Sequence, residues 1–148
     1  MKVNFLERVL WWVLAATAVL NTGAALALCD AHPDLPTELQ KSDPVITAVV
    51  ESERDVSSPD DPQGVEERIY TVRVLHVFKG RPDGLLEISS PATSSSFPME
   101  IGKVYLLFAR WSSGEGEFYV DSCGRSGLLE DRKAEIGELG EILNGSTR

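Results

Sequence analysis

The sequence predicts a mainly β fold, a small barrel or sandwich of five short strands followed by one helix. Short runs of β-branched, aromatic and aliphatic residues recur along the chain, and each is bounded by Gly, Pro, Asp or Ser. Only the last segment changes to a helical period, with Leu129, Ile136, Leu139 and Leu143 on one face and charged residues between them. This segment is therefore predicted to form an amphipathic helix that packs against the sheet.

The first two strands carry the clearest patterns. Asp43-Pro44 marks a turn into Val45–Val50, which is apolar and β-branched enough to be largely buried. The second strand, Arg68–Phe78, alternates apolar and polar residues until Leu75-His76, where the alternation breaks. Such a break predicts a bulge or bend. The segment between these strands, Glu51–Glu67, is rich in Asp, Glu, Ser and Pro, which predicts a solvated loop or an extended hairpin tip.

Three further strands complete the predicted sheet. Leu85–Ser89 follows a turn rich in Gly and Pro, and Ser90–Gly102 is predicted to be a second loop. Val104–Ala109 is apolar throughout, as expected of a strand buried on both faces. The fifth strand is placed at Glu117–Ser122, after a Gly-containing turn.

An apolar leader precedes this β-rich part. Its start is weakly basic, and Val9–Leu20 carries no charge. Ala25-Leu26-Ala27 has the small-x-small form that signal peptidase accepts, so residues 1–27 are predicted to be a signal peptide cleaved after Ala27. An uncleaved anchor is the alternative, because Val9–Leu28 approaches the ~20 residues that span a bilayer.

The acidic composition of the chain limits the classes of partner that it can bind. Residues 28–148 suit a single domain. The formal net charge is -9 at pH 7, and no cluster of Lys and Arg is present. A nucleic-acid partner is excluded on this ground, because binding phosphates requires a basic surface. Attraction to anionic lipid is excluded for the same reason, and no stable membrane insertion is expected after signal cleavage.

The two cysteines are the strongest chemical signal. Cys29 lies directly behind the leader, and Cys123 follows the last predicted strand. An even cysteine count behind an export signal favours a disulfide, which would stabilise the fold by about 4–5 kcal/mol in the chain-entropy model. The alternatives are two buried free thiols, or a metal site made of Cys29, His32 and Cys123. Structural zinc usually has four ligands in two close pairs, and only one such pair exists here.

No catalytic constellation is visible in the sequence. His32 and His76 are the only histidines, and the serines Ser94–Ser96 lie in a predicted loop without a nucleophile elbow. Carboxylates are so abundant that no particular pair stands out. The acidic segment Glu51–Glu67 lacks the ligand spacing of an EF-hand. We therefore expect no enzymatic activity, no cofactor and no resident metal.

Five motifs occur in an informative order: Cys29 with His32-Pro33 behind it, Asp43-Pro44-Val45-Ile46, Val77-Phe78-Lys79-Gly80, Gly102–Phe108, and Asp121-Ser122-Cys123. In order and spacing they resemble the netrin-like domain of the tissue inhibitors of metalloproteinases. The resemblance extends from Cys29 to about Leu129. It implies a five-stranded OB-like closed barrel with flanking helices, and it implies that Cys29 pairs with Cys123.

The resemblance also implies a function. The expected protein is a secreted, non-enzymatic binding module in the periplasm or outside the cell, with a protein partner such as a zinc metalloprotease. Family inhibitors begin Cys-x-Cys, and the amine and carbonyl of the first cysteine chelate the protease zinc. Here Ala27 stands in place of that cysteine, so the chelating motif is incomplete. An envelope or extracellular assembly module without a protease target is the alternative function. The candidate contact ridge comprises Leu28, Cys29, Asp30, Ala31, His32 and Pro33.

Overall fold

The computed structural model of the protein describes Cys29 and residues 31–145. The predicted signal peptide and its cleavage point lie outside the described residues, as do Leu28 and Asp30 of the candidate ridge. The described elements are α1 (Leu35–Lys41), β1 (Val45–Val56), β2 (Glu67–Lys79), β3 (Leu85–Pro91), β4 (Val104–Ser112), β5 (Glu117–Val120), β6 (Gly127–Leu128), a 3-10 turn (Leu129–Asp131) and α2 (Lys133–Gly145).

The strands form one sheet whose order closes a ring through five of them. Strands β1, β2 and β3 are consecutive antiparallel neighbours. Strand β5 joins β3 in parallel and β4 in antiparallel, and β4 returns to pair with β1 along Val45–Val49. The two-residue β6 is added on β4. The fold is therefore mainly β, as predicted, with six strands rather than five in the described part.

The long hairpin of β1 and β2 confirms one prediction and corrects another. Thr47 pairs with His76 and Ala48 pairs with Val74, so Leu75 is the extra residue of a β-bulge, as the broken alternation predicted. The expected end of the first strand at Val50 is wrong, because pairing continues to Val56. The side chains beyond Val50 are mostly exposed, which removes the apolar pattern from which a strand is recognised. The acidic segment is thus largely an extended hairpin, one of its two predicted forms.

The core consists of two apolar clusters on opposite faces of the same strands. The first, within the ring, includes Ile46, Ala48, Tyr70, Val72, Ile88, Leu107 and Val120. The second includes Leu35, Val45, Leu106, Phe108 and Leu139, and joins both helices to the sheet. Neighbouring residues of β4 alternate between the clusters, so β4 is buried on both faces, as predicted for a continuously apolar strand.

The ends of the chain differ most from prediction. Helix α1 has no counterpart among the elements assigned from the sequence pattern. Asp34 caps it by accepting a 2.8 Å hydrogen bond from the backbone N–H of Thr37, and Pro36 occupies its first turn. Hydrogen bonds from Thr37 hold the pKa of Asp34 below its ordinary value. The C-terminal helix begins at Lys133, and Leu129 lies in the preceding 3-10 turn.

The last predicted strand is shorter than expected. Strand β5 ends at Val120, and Asp121 and Ser122 belong to the turn that carries Cys123. The side chain of Asp121 causes this ending, because it accepts a 2.9 Å hydrogen bond from the backbone N–H of Cys123. A side-chain partner of this kind replaces ladder pairing and favours a turn.

Candidate functional site

The predicted disulfide joins the first described residue to the turn after β5. Cys29 and Cys123 are bonded, with their Cα atoms 5.5 Å apart across a sequence separation of 94 residues. This bond contradicts both alternatives, free thiols and a metal site that includes the two cysteines. The segment ahead of α1 is therefore covalently tied to the far end of the sheet.

Two side chains fasten the same segment without covalent bonds. The Nδ1–H of His32 donates to the carbonyl oxygens of Cys123 and Gly124, at 3.0 and 3.2 Å. The Nε–H of Arg125 donates to the carbonyl oxygen of Pro33 at 2.6 Å. Cys29, His32 and Pro33 are thus each held against the same turn.

The segment stays accessible although it is held. Ala31 and His32 are exposed, while Cys29 and Pro33 are half-buried. An exposed segment that is already fixed loses little conformational freedom when another molecule binds it. Among the predicted ridge residues, the structure brings Cys29, Ala31, His32 and Pro33 together in this arrangement, which we call the N-terminal ridge.

A charged cluster supports the turn on which the ridge rests. Arg110, on β4, donates from Nη2 to Glu38 Oε2 at 2.8 Å and from Nη1 to Asp121 Oδ2 at 3.1 Å. The Glu38 side chain, on α1, is 0% exposed, whereas that of Asp121 is 38% exposed. This ion pair links α1, β4 and the cysteine turn, so the support of the ridge is continuous with the sheet.

Gly124 allows the cysteine turn to approach α1 closely. A Cβ at this position would lie 2.7 Å from Glu38 Oε1 and 3.0 Å from the carbonyl oxygen of Asp121. Both distances are at or below the closest separations that carbon and oxygen tolerate without contact strain. Any other residue at Gly124 would displace the turn or the buried carboxylate.

Sequence reasoning missed the residues that support the ridge. Glu38, Arg110 and Arg125 were not selected, because each is one of many charged residues in an acidic chain. The Asp34 and Pro36 pattern is a recognisable helix start, and it would have placed Glu38 one turn into a helix. No local signal indicates that Glu38 faces Arg110, since 72 residues separate them.

A second accessible region surrounds Trp111. Its side chain is 54% exposed, and its indole meets the Phe118 ring edge-on with centroids 4.8 Å apart. Trp111 also lines a cavity of about 420 Å³ together with Glu67, Ser89 and Tyr119. Glu67 Oε1 accepts a hydrogen bond from the Ser89 hydroxyl. The Glu67 carboxylate therefore lines this cavity beside the polar side chains of Ser89 and Tyr119.

The Glu67 carboxyl titrates near neutrality. Burial is the main cause, followed by the charge of Glu117 and a hydrogen bond with it, and these raise the pKa of Glu67 to about 7 from its ordinary 4.5. A raised carboxyl pKa means that the folded protein binds a proton more tightly than the unfolded chain does. Folding stability from this group is therefore present at acid pH and lost as the pH rises through about 7.

We expect Glu67→Gln to remove this pH dependence. Unfolding in urea should show wild-type stability falling between pH 5 and pH 8 by on the order of 1–2 kcal/mol, because solvent screens part of the repulsion. The variant carries a neutral side chain at both pH values, so its free energy of unfolding should not show this fall. Glu53→Gln, an exposed residue elsewhere on β1, is the matched control. An equal fall in Glu67→Gln and wild type would contradict the assignment.

Across Cys29 and residues 31–145, no group of three or more His, Cys, Asp and Glu residues is arranged to hold a metal ion. Neither helix within that part of the chain has the length and apolar character that a bilayer crossing requires.

Comparison with models of known protein families finds no match, and comparison with curated proteins finds none either.

Proposed function

We propose that the protein is a secreted, non-enzymatic binding module of the netrin-like type, built on an OB-like barrel. The ring order β1-β2-β3-β5-β4-β1 supports the barrel. In this order β1, β2 and β3 form a meander, and β5 precedes β4 although it follows β4 in the sequence. A five-stranded Greek-key barrel has an order of this kind. The bonded pair of Cys29 and Cys123 supports an oxidising location, periplasmic or extracellular.

The single observation that carries the proposal is the N-terminal ridge. Ala31 and His32 are exposed, and the ridge is fixed to the turn at residues 123–125 by one disulfide and three hydrogen bonds. Folding alone does not require so many restraints on a short segment that lies outside the core. Restraint of this kind favours recognition, because the entropy of ordering the segment is lost on folding and not on binding.

The first partner to test is a zinc metalloprotease. This choice of partner rests on the resemblance to metalloproteinase inhibitors. In that mode the ridge enters the substrate cleft and the mature N-terminus approaches the protease zinc. The missing first cysteine leaves this chain with one bridge, from Cys29, to hold the ridge. The alternative partner is a component of the envelope or extracellular matrix, bound through the same ridge.

Inhibition assays distinguish these two partners. The mature chain is added at micromolar concentration to a panel of zinc endopeptidases, beside a variant extended by one residue at its N-terminus. Slowing of an endopeptidase by the mature chain but not by the extended variant is the expected result for an inhibitor. If no endopeptidase is slowed, the inhibitor mode is wrong and the assembly function stands. Equal slowing by both proteins would exclude chelation by the N-terminus.

A further inference from the structure

An open cavity of about 560 Å³ lies between the start of α2, the 3-10 turn and the start of β4. It shares no residue with the N-terminal ridge. Its volume falls within the ~300–1,000 Å³ of small-molecule sites. The lining residues are Gly102, Lys103, Val104, Leu128, Leu129, Glu130, Lys133 and Ile136. We call this cavity the helix groove.

The floor of the helix groove is apolar because it lies where the two core clusters meet. Leu128 packs against the first cluster, whereas Leu129 and Ile136 pack against the second. All three are half-buried, so they are in contact with the core on one side and face the groove on the other. An alkyl chain placed here would remove apolar surface from water, which is worth roughly 25 cal/mol per Å².

The walls of the helix groove are held in place. Arg132 Nη1 donates to Glu135 Oε1 at 3.2 Å and Nη2 donates to the carbonyl oxygen of Ser126 at 3.3 Å. These contacts link the start of α2 to Ser126, the residue before β6. On the opposite wall, the backbone N–H of Gly102 donates to Val50 at 2.8 Å and that of Lys103 donates to Glu100 at 3.1 Å. The groove is therefore formed before any ligand binds.

Two lysines give the rim of the helix groove its chemistry. Lys103 and Lys133 are exposed, one on each wall, and neither forms an ion pair with a carboxylate of the described residues. Glu130 also lines the groove, which leaves one net positive charge. A local positive charge over an apolar floor is unusual in a chain of net charge -9. It complements a ligand that carries an anionic head on an apolar tail.

We propose that the helix groove binds a monomeric alkyl carboxylate of medium chain length. The carboxylate pairs with the ammonium groups of Lys103 and Lys133, and the alkyl chain lies along Leu128, Leu129 and Ile136. A cationic amphiphile of the same length meets two like charges at the rim and binds less tightly. A neutral alcohol gains the apolar contact alone. The order of affinity is therefore carboxylate, alcohol, ammonium.

Titration with decanoate, decanol and decylammonium tests this order, with all three kept below micelle formation. Methyl NMR of the mature chain should give saturable shifts at Leu128, Leu129 and Ile136. Lys103→Gln with Lys133→Gln should weaken decanoate binding about tenfold and leave decanol binding unchanged. Both substitutions are at exposed positions, so the fold is retained. Lys41→Gln, an exposed lysine on α1, is the matched control and should leave both affinities unchanged.

Three results would overturn the proposal. The first is the absence of saturable shifts at millimolar decanoate. The second is equal binding of decanoate and decylammonium, since the rim charges would then have no role. The third is a dimer, measured by light scattering, that becomes a monomer when both lysines are replaced. The groove would then be an interface between two copies of the chain. None of these results bears on the N-terminal ridge, so the proposed function is tested separately.

Discussion

Replacing both bridging cysteines, by Cys29→Ser with Cys123→Ser, is expected to lower the free energy of unfolding by about 2–5 kcal/mol. The bridge spans a sequence separation of 94 residues, so its removal restores a large number of conformations to the unfolded chain. It also leaves the N-terminal ridge attached only through His32 and Arg125. Urea unfolding of the mature chain measures the loss, and partner binding should fall with it.

Arg125→Ala separates the two effects of the bridge. It releases the Pro33 carbonyl but keeps the disulfide, so stability should change far less than in the double serine variant. The NMR order parameters of the Ala31 and His32 backbone should nevertheless fall in both variants, because each variant removes one restraint on the ridge. A double serine variant that loses less than about 1 kcal/mol would contradict the structural importance of the bridge.

Breaking the buried ion pair is expected to have the second large effect. Arg110→Met should destabilise the fold by about 3–5 kcal/mol, because the fully buried Glu38 carboxylate loses its cation. Asp121 also loses this partner, but solvent compensates at its exposed side chain. Urea unfolding near neutral pH measures the change. The cysteine turn should loosen at the same time, since Arg110 and Asp121 hold it.

A paired variant is the control for this prediction. Glu38→Met with Arg110→Met replaces both charges by apolar side chains of similar length, and such replacements are often neutral or stabilising. The pair should therefore be much more stable than Arg110→Met alone. If both proteins are equally destabilised, the cost comes from packing and not from an unpaired buried charge.

The parts of the fold that were predictable depend on local patterns. The bulge at Leu75 follows from a break in alternation, and the double burial of β4 follows from an unbroken apolar run. The disulfide follows from two cysteines behind a predicted export signal. The bulge and the buried strand each have their physical cause in a few adjacent residues, and the disulfide was predicted from the even number of cysteines.

The remaining features depend on contacts between distant parts of the chain. The parallel pairing of β3 with β5 covers only Ile88 with Phe118 and Ser89 with Tyr119, too few residues to leave a sequence pattern. Strand β6 has two residues and exists because β4 offers it a free edge. The support of the ridge by Arg110 joins α1, β4 and the cysteine turn, which are distant in the sequence, so no single segment specifies it.

The N-terminal ridge is the surface that we propose binds a partner protein. The most direct test compares capture from the secreted or periplasmic fraction by three baits: the mature chain, Ala31→Arg and Ala134→Arg. Ala31 is exposed on the ridge, and Ala134 is exposed on α2, so each variant adds the same side chain at a solvent-facing position. We predict that the mature chain and Ala134→Arg capture the same protein and that Ala31→Arg does not. Equal capture by Ala31→Arg would contradict the claim.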